Sequence, residues 1–226
     1  HEDYACFFKC RTYNLKCIID LHAAPGSQNG MEHSASRDGS VDWPTPDYIS
    51  QTLDVIDFLS ARYMIRKPVL WLISMLNLVP FICRYANHPA LLGIELLNEP
   101  SAAAVPLDVL VSYYTRGYHI VRNYSSTVYV IVCQRIGNAD PMELYQANIG
   151  VSNIVVDLHY YNLFDPYFSN MDATENIQYI YDKRMPQLQA LNSANGPLVY
   201  IGKLFWFMLL YLRLQYNILC KMSIIF

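Results

Sequence analysis

Charge is what this chain has least of. Asp, Glu, Lys and Arg together make up 15% of its 226 residues, and the net charge is −3. No dense run of Lys or Arg occurs, so nothing offers the phosphate-binding surface that a nucleic-acid partner requires, and none is expected. No Gly-rich phosphate loop follows an apolar run, which argues against a nucleotide site. The six cysteines form no legible disulfide framework, and Cys6 and Cys10 match no zinc or redox spacing. Cys17 and Cys133 lie inside apolar runs and read as buried small hydrophobes. The chain starts at His1 without an initiator Met or a legible signal peptide. It therefore reads as a fragment of something longer, with its localisation left open.

What is present is apolar. Hydrophobic residues reach 53%, high for a soluble domain, and there are 19 tyrosines. Aromatic faces suit a core, and they also suit the C–H faces of sugar rings. Short β-branched or aliphatic runs at about 16–20, 91–97, 128–133, 154–158 and 197–201 read as strands. Helical spacing at about 46–63, 106–124 and 173–191 lies between them, with a short helix near 141–147. Strands alternating with helices, and strands apolar on both faces, predict a parallel sheet covered by helices.

Polar residues gather at the C-terminal ends of these strands: Asp20 and His22, Asn98 and Glu99, Gln134 and Arg135, then Asp157, His159 and Tyr161. That is the face on which a (β/α)8 barrel carries its site. Glu99 ends a buried strand. A carboxylate there is expensive to bury and is expected to have a raised pKa, as a general acid needs. Strand alternation puts Asp20 with His22, and His159 with Tyr161, on one face. A capping Asn, a surface Glu and a hydrogen-bonded core His are the bland alternative. Four such strand ends in order weigh against it. His22, Glu99 and His159 are also metal-ligand types, but whole βα units separate them, and no metal is expected.

The string Ile18-Ile-Asp-Leu-His-Ala-Ala-Pro-Gly-Ser-Gln-Asn-Gly30 resembles the third-strand segment of glycoside hydrolase family 5, in its exo-β-1,3-glucanase (glucan 1,3-β-glucosidase) branch and plant relatives. His88-Pro-Ala-Leu-Leu-Gly-Ile-Glu-Leu-Leu-Asn-Glu-Pro100 resembles the fourth-strand signature, and Asp157-Leu-His-Tyr-Tyr161 the sixth. The resemblance implies an α/β fold, a partial (β/α)8 TIM barrel of about the third to seventh strand units. It implies hydrolysis of O-glycosyl bonds in β-glucan by retaining double displacement in the intact family, with no cofactor. Glu99 would be the acid/base and Asn98 would hold the 2-hydroxyl. His22, His159 and Tyr161 would shape the subsite of the cleaved sugar. Phe164 would match an entrance aromatic, and Glu32 and His33 would contact sugar hydroxyls. Intact relatives are expected to be secreted or in the cell wall, and a monomer is expected.

The chain also departs from that pattern. The family's nucleophile is a Glu after the seventh strand. Here Pro197-Leu-Val-Tyr-Ile-Gly202 matches up to the glycine, and Lys203 stands in the glutamate position. An ammonium cannot form a glycosyl ester, and near Glu99 it would favour the ionised carboxylate. Residues 203–226 contain no Gly, Ala, Pro, Asp or Glu, and 64–85 are similarly apolar. Both segments read as translated introns, leaving 1–202 as an incomplete barrel. A membrane attachment is the rival reading if the inserts are genuine. The family's first two strands and its eighth are missing, so poor solubility, exposed sheet edges and no glucanase activity are expected.

Overall fold

A computed structural model describes residues 7, 9–63, 88–162, 166–192, 195–204 and 219–225. Its centre is a six-stranded, wholly parallel sheet: β1 Lys16–Ala23, β2 Leu91–Glu95, β3 Tyr129–Cys133, β4 Ile154–Tyr160, β5 Leu198–Leu204 and β6 Leu219–Ile225, in the order β5-β4-β3-β2-β1-β6. Helices α1 Pro46–Tyr63, α2 Leu107–Tyr124, α3 Glu143–Ala147, α4 Ala173–Tyr179 and α5 Met185–Ala190 connect successive strands, with a π-turn, Ile180–Arg184, joining the last two. The first five strands with their helices are a partial TIM barrel, as expected. The helix expected over 173–191 is thus three consecutive pieces, because Pro186 enters at the first turn of α5 and lacks the N–H a continuous helix needs.

The strands build this sheet because their side chains alternate. Ile19, Leu21, Ile94, Leu96, Val130, Val132, Ile154, Val156 and Leu158 are buried in one continuous core with the helices. Their neighbours Ile18, Ile131 and Val155 form a second, smaller cluster with Leu92, Tyr129 and Tyr200. The period of 2 therefore sorts each strand into one set of residues facing the helices and another facing the inside of the curve. On the helix side, Trp43 packs edge-on to Tyr113 with centroids 4.9 Å apart, and its indole N–H donates to Thr52 Oγ1 at 3.1 Å. Tyr113 donates to Leu96 O at 2.6 Å, and Tyr114 donates to Cys133 O at 2.9 Å. These two hydroxyls pin the ends of β2 and β3, where the polar residues begin.

The boundary expected after Gly202 falls inside β5, which continues to Leu204. The segment Leu219–Ile225, expected as a non-family tail, lies parallel to β1 and occupies that edge of the sheet. The expected insertion, 64–85, lies outside the described residues, as do 205–218. Among the described residues no helix is long and apolar enough to cross a membrane.

Candidate active site

The inward-facing polar residues converge at the C-terminal ends of β1, β2, β4 and β5. At the end of β1, His22 Nδ1 donates to Asp20 Oδ2 at 2.7 Å, so the buried carboxylate fixes the ring. The loop after β1 then folds back under β2. Gln28 Nε2 donates to the carbonyls of His22 (2.9 Å) and Asn98 (2.8 Å), and Asn29 Nδ2 donates to Glu99 O at 2.9 Å. Gln28 and Asn29 stand in the Ile18–Gly30 motif, where sequence alone assigns them no role. They brace the backbone that presents Glu99. Glu99 needs that bracing: its φ is 47°, left-handed for a residue with a side chain and directly before a proline. Such a conformation costs about 1–3 kcal/mol and persists only when neighbours over-determine it.

The Glu99 carboxylate is gripped from four sides. Oε1 accepts from His159 Nδ1 at 2.6 Å and from Tyr161 OH at 2.7 Å, with Lys203 Nζ 3.4 Å away. His33 Nε2 lies 3.0 Å from Oε2. The expectation of a raised pKa is corrected here. Burial does push it up, but the His159 hydrogen bond and charge, the Lys203 charge and the Tyr161 hydrogen bond outweigh burial. They hold the carboxyl well below the usual carboxylate range. His159 is shifted oppositely: burial disfavours its charge, but hydrogen bonds and charges from Asp157 and Glu99 raise its pKa. It is an imidazolium between two carboxylates, with Nε2 3.1 Å from Asp157 Oδ2.

Lys203 reaches this cluster because β5 is bulged. Leu158 pairs with Ile201, yet His159 pairs with Lys203, so Gly202 is the extra residue. The bulge turns Lys203 onto the side of His159. Its ammonium donates to Asn98 Oδ1 at 3.1 Å. Asn98 Nδ2, fully buried, has no partner among the described residues. Asp157 Oδ1 accepts the Gly202 N–H at 2.7 Å, and a Cβ on Gly202 would run into that carboxylate. Asp157 is thus a supporting residue, a role that its place at a strand end does not by itself reveal.

Other expected positions fare differently. Glu32 opens a short 3-10 turn, Glu32–Ser34, and is exposed. Phe164 lies outside the described residues. Arg135 serves structure: it makes a two-pronged pair with Glu143 at 2.8 and 2.7 Å and donates to Val105 O at 2.9 Å. Cys133 is buried as expected, but its Sγ accepts the Glu99 N–H at 3.3 Å and touches the site.

These shifts set a pH dependence. Glu99 has a folded pKa below its free value of 4.5, so its contribution to stability is complete above 4.5 and fades as pH falls through the folded pKa. His159 has a folded pKa above 6.5, so its contribution is complete below 6.5 and fades as pH rises through the folded pKa. His33, lowered first by burial, adds to the acid arm only. Urea midpoints are therefore expected to peak near pH 6.5, falling on the acid side first through His33 and then through Glu99, and on the alkaline side through His159. In His159→Gln the alkaline fall should vanish. An unchanged alkaline arm in that variant would refute the assignment.

Comparison with known proteins bears on the family and the fold. The family model described as cellulase (glycosyl hydrolase family 5) matches residues 9–204. The chain is 33% identical over 160 residues to a glucan 1,3-beta-glucosidase of Pichia angusta, covering 69% of this chain and 32% of that protein. Glucan 1,3-beta-glucosidase 1 of Schizosaccharomyces pombe is 31% identical over 153 residues, covering 68% and 33%. The chain thus spans about a third of the length of these curated relatives. Among solved structures, rutinosidase from Aspergillus niger superposes with a TM-score of 0.58 at 17% identity, over 86% of this chain and 50% of that one. The catalytic domain of the major endoglucanase from Xanthomonas campestris pv. campestris superposes at 0.51 with 18% identity, over 87% and 53%. The superpositions agree on the partial barrel, and the family model runs through all five strands that carry the cluster around Glu99: the chain belongs to glycosyl hydrolase family 5.

Proposed function

We propose that the chain carries a β-glucan-binding glycosidase site in which hydrolysis is arrested. The observation that carries this reading is the contact of Lys203 Nζ with Glu99 Oε1 at 3.4 Å. In a retaining glycosidase a second carboxylate stands about 5–5.5 Å from the acid/base and attacks the anomeric carbon. Here an ammonium takes that place, and it cannot accept a glycosyl group as an ester. The same cation helps keep Glu99 ionised, so Glu99 has no proton to give the leaving oxygen. Both halves of double displacement are disabled by one substitution.

Binding needs neither half. Asn98 Nδ2 is buried and unpaired among the described residues, at a desolvation cost of about 1–3 kcal/mol, and a sugar hydroxyl would accept from it. His22, held by Asp20, and Tyr161 offer further polar tips. β-Glucan is the substrate class carried by the names of the curated relatives. Calorimetry with laminari-oligosaccharides is expected to detect binding that weakens at least about tenfold in Asn98→Ala. Laminarin incubated with the chain should release no glucose above buffer. Absence of binding would refute the carbohydrate reading. Glucose release abolished by Glu99→Gln would refute the arrest.

A further inference from the structure

We propose that Glu95, Cys133, Asp157 and His159 form a zinc(II) site directly beneath the Glu99 cluster. One donor atom from each of these four side chains lies within 4.8 Å of all the others. They come from the inner faces of β2, β3 and β4, three neighbouring strands, which hold them in place without help from any loop. Glu95, Cys133 and Asp157 have no solvent exposure, and the His159 side chain is 2% exposed. The set is one nitrogen, one sulfur and two carboxylates, a four-coordinate donor set suited to zinc.

The distances fit an ion placed among them. His159 Nε2 is 3.1 Å from Asp157 Oδ2 and 3.8 Å from Cys133 Sγ. Tetrahedral zinc, with Zn–N and Zn–O near 2.0 Å and Zn–S near 2.3 Å, puts such ligand pairs about 3.3 and 3.6 Å apart. These two pairs need shifts of only a few tenths of an ångström, and the remaining donor atoms, all within 4.8 Å of one another, draw in around the ion by up to about 1–1.5 Å.

The outer contacts of a metal centre are also in place. His159 Nδ1 donates to Glu99 Oε1 at 2.6 Å, which directs the Nε2 lone pair toward the cluster. Asp157 Oδ1 accepts the Gly202 N–H while Oδ2 faces His159 Nε2, where an ion would displace the Nε2 proton that now joins them. Cys133 Sγ accepts the Glu99 N–H at 3.3 Å, a contact that favours the thiolate. Binding is a replacement: the ion takes the place of the proton on His159 Nε2 and of the Cys133 thiol proton, and both protons leave to solvent.

The test titrates the full chain, reduced and stripped by chelator, with Co²⁺ alone and then Zn²⁺. Expected are one Co²⁺ per chain with intense tetrahedral bands and a thiolate-to-cobalt charge-transfer band, both abolished by one equivalent of Zn²⁺. Cys133→Ser should lose the charge-transfer band, and Glu95→Gln should keep it while weakening zinc binding at least about tenfold. A charge-transfer band that survives Cys133→Ser overturns the site, because the metal then sits on another cysteine. Absence of tetrahedral bands in the wild-type chain overturns it as well. Glu95→Gln changes only a carboxylate to an amide, so it tests the site even where Cys133→Ser fails to fold. Laminari-oligosaccharide binding, measured on the same preparations, keeps the outcomes apart: sugar binding without cobalt bands overturns the zinc site and leaves the carbohydrate reading standing.

Discussion

Asp157→Ala is expected to cost the fold about 3–5 kcal/mol in metal-free buffer, measured by urea unfolding. Asp157 is completely buried, and its charge-assisted partners include the His159 imidazolium at 3.1 Å and the Gly202 N–H at 2.7 Å. Removing it leaves the His159 cation with Glu99 as its remaining carboxylate and leaves the part-buried Gly202 N–H without its acceptor. Truncating one partner of a buried pair is costly for this reason, whatever the net worth of the intact pair. Gly202→Ala attacks the same contact from the other side. It keeps the charge but puts a methyl group where the carboxylate sits, with an expected loss of about 1–3 kcal/mol. The two losses should not add, because both break one junction between β4 and β5. If Asp157→Ala costs less than about 1 kcal/mol, the junction is not what holds His159 against Glu99.

The part of this architecture that sequence makes legible is the part that rests on periodicity. Alternation by 2 puts Asp20 with His22, and His159 with Tyr161, on one face, and apolar runs mark the five family strands. The strand-end position of Glu99 follows from the same reasoning. Its ionisation does not. The groups that lower its pKa arrive from β4 and, through the Gly202 bulge, from β5, 60 and 104 residues along the chain. Desolvation is local and can be anticipated from an apolar run. The compensating partners are tertiary. Glu95 and Cys133 show the same limit, since each is unremarkable in its own strand and only lateral pairing of β2, β3 and β4 brings them together. The strand Leu219–Ile225 shows a different one. An open parallel edge at β1 accepts an apolar segment by backbone hydrogen bonds, so composition that reads as translated non-coding sequence still pairs.

Lys203→Glu is expected to reverse the pKa shift of Glu99 and to start turnover. The wild-type ammonium lies 3.4 Å from Glu99 Oε1, and its charge is one of the influences that together outweigh burial. A glutamate there removes a favourable charge and adds a like one, so the two carboxylates share a proton and one pKa rises. The Glu side chain is also one bond shorter than Lys. That draws its oxygens back from Glu99, toward the spacing of about 5–5.5 Å that retaining chemistry requires. The backbone already turns this position toward His159, so the new carboxylate inherits the bulge. Carboxyl ¹³C titration should register the rise. Hydrolysis of an activated aryl β-glucoside should exceed that of the wild-type chain at least about tenfold, and Glu99→Gln in the same background should remove the gain. Lys203→Met separates the two effects, because it deletes the cation without supplying a nucleophile. It should raise the Glu99 pKa less than Lys203→Glu does and give no turnover. Turnover in Lys203→Met would mean that the missing proton on Glu99, and not the missing nucleophile, arrests the site.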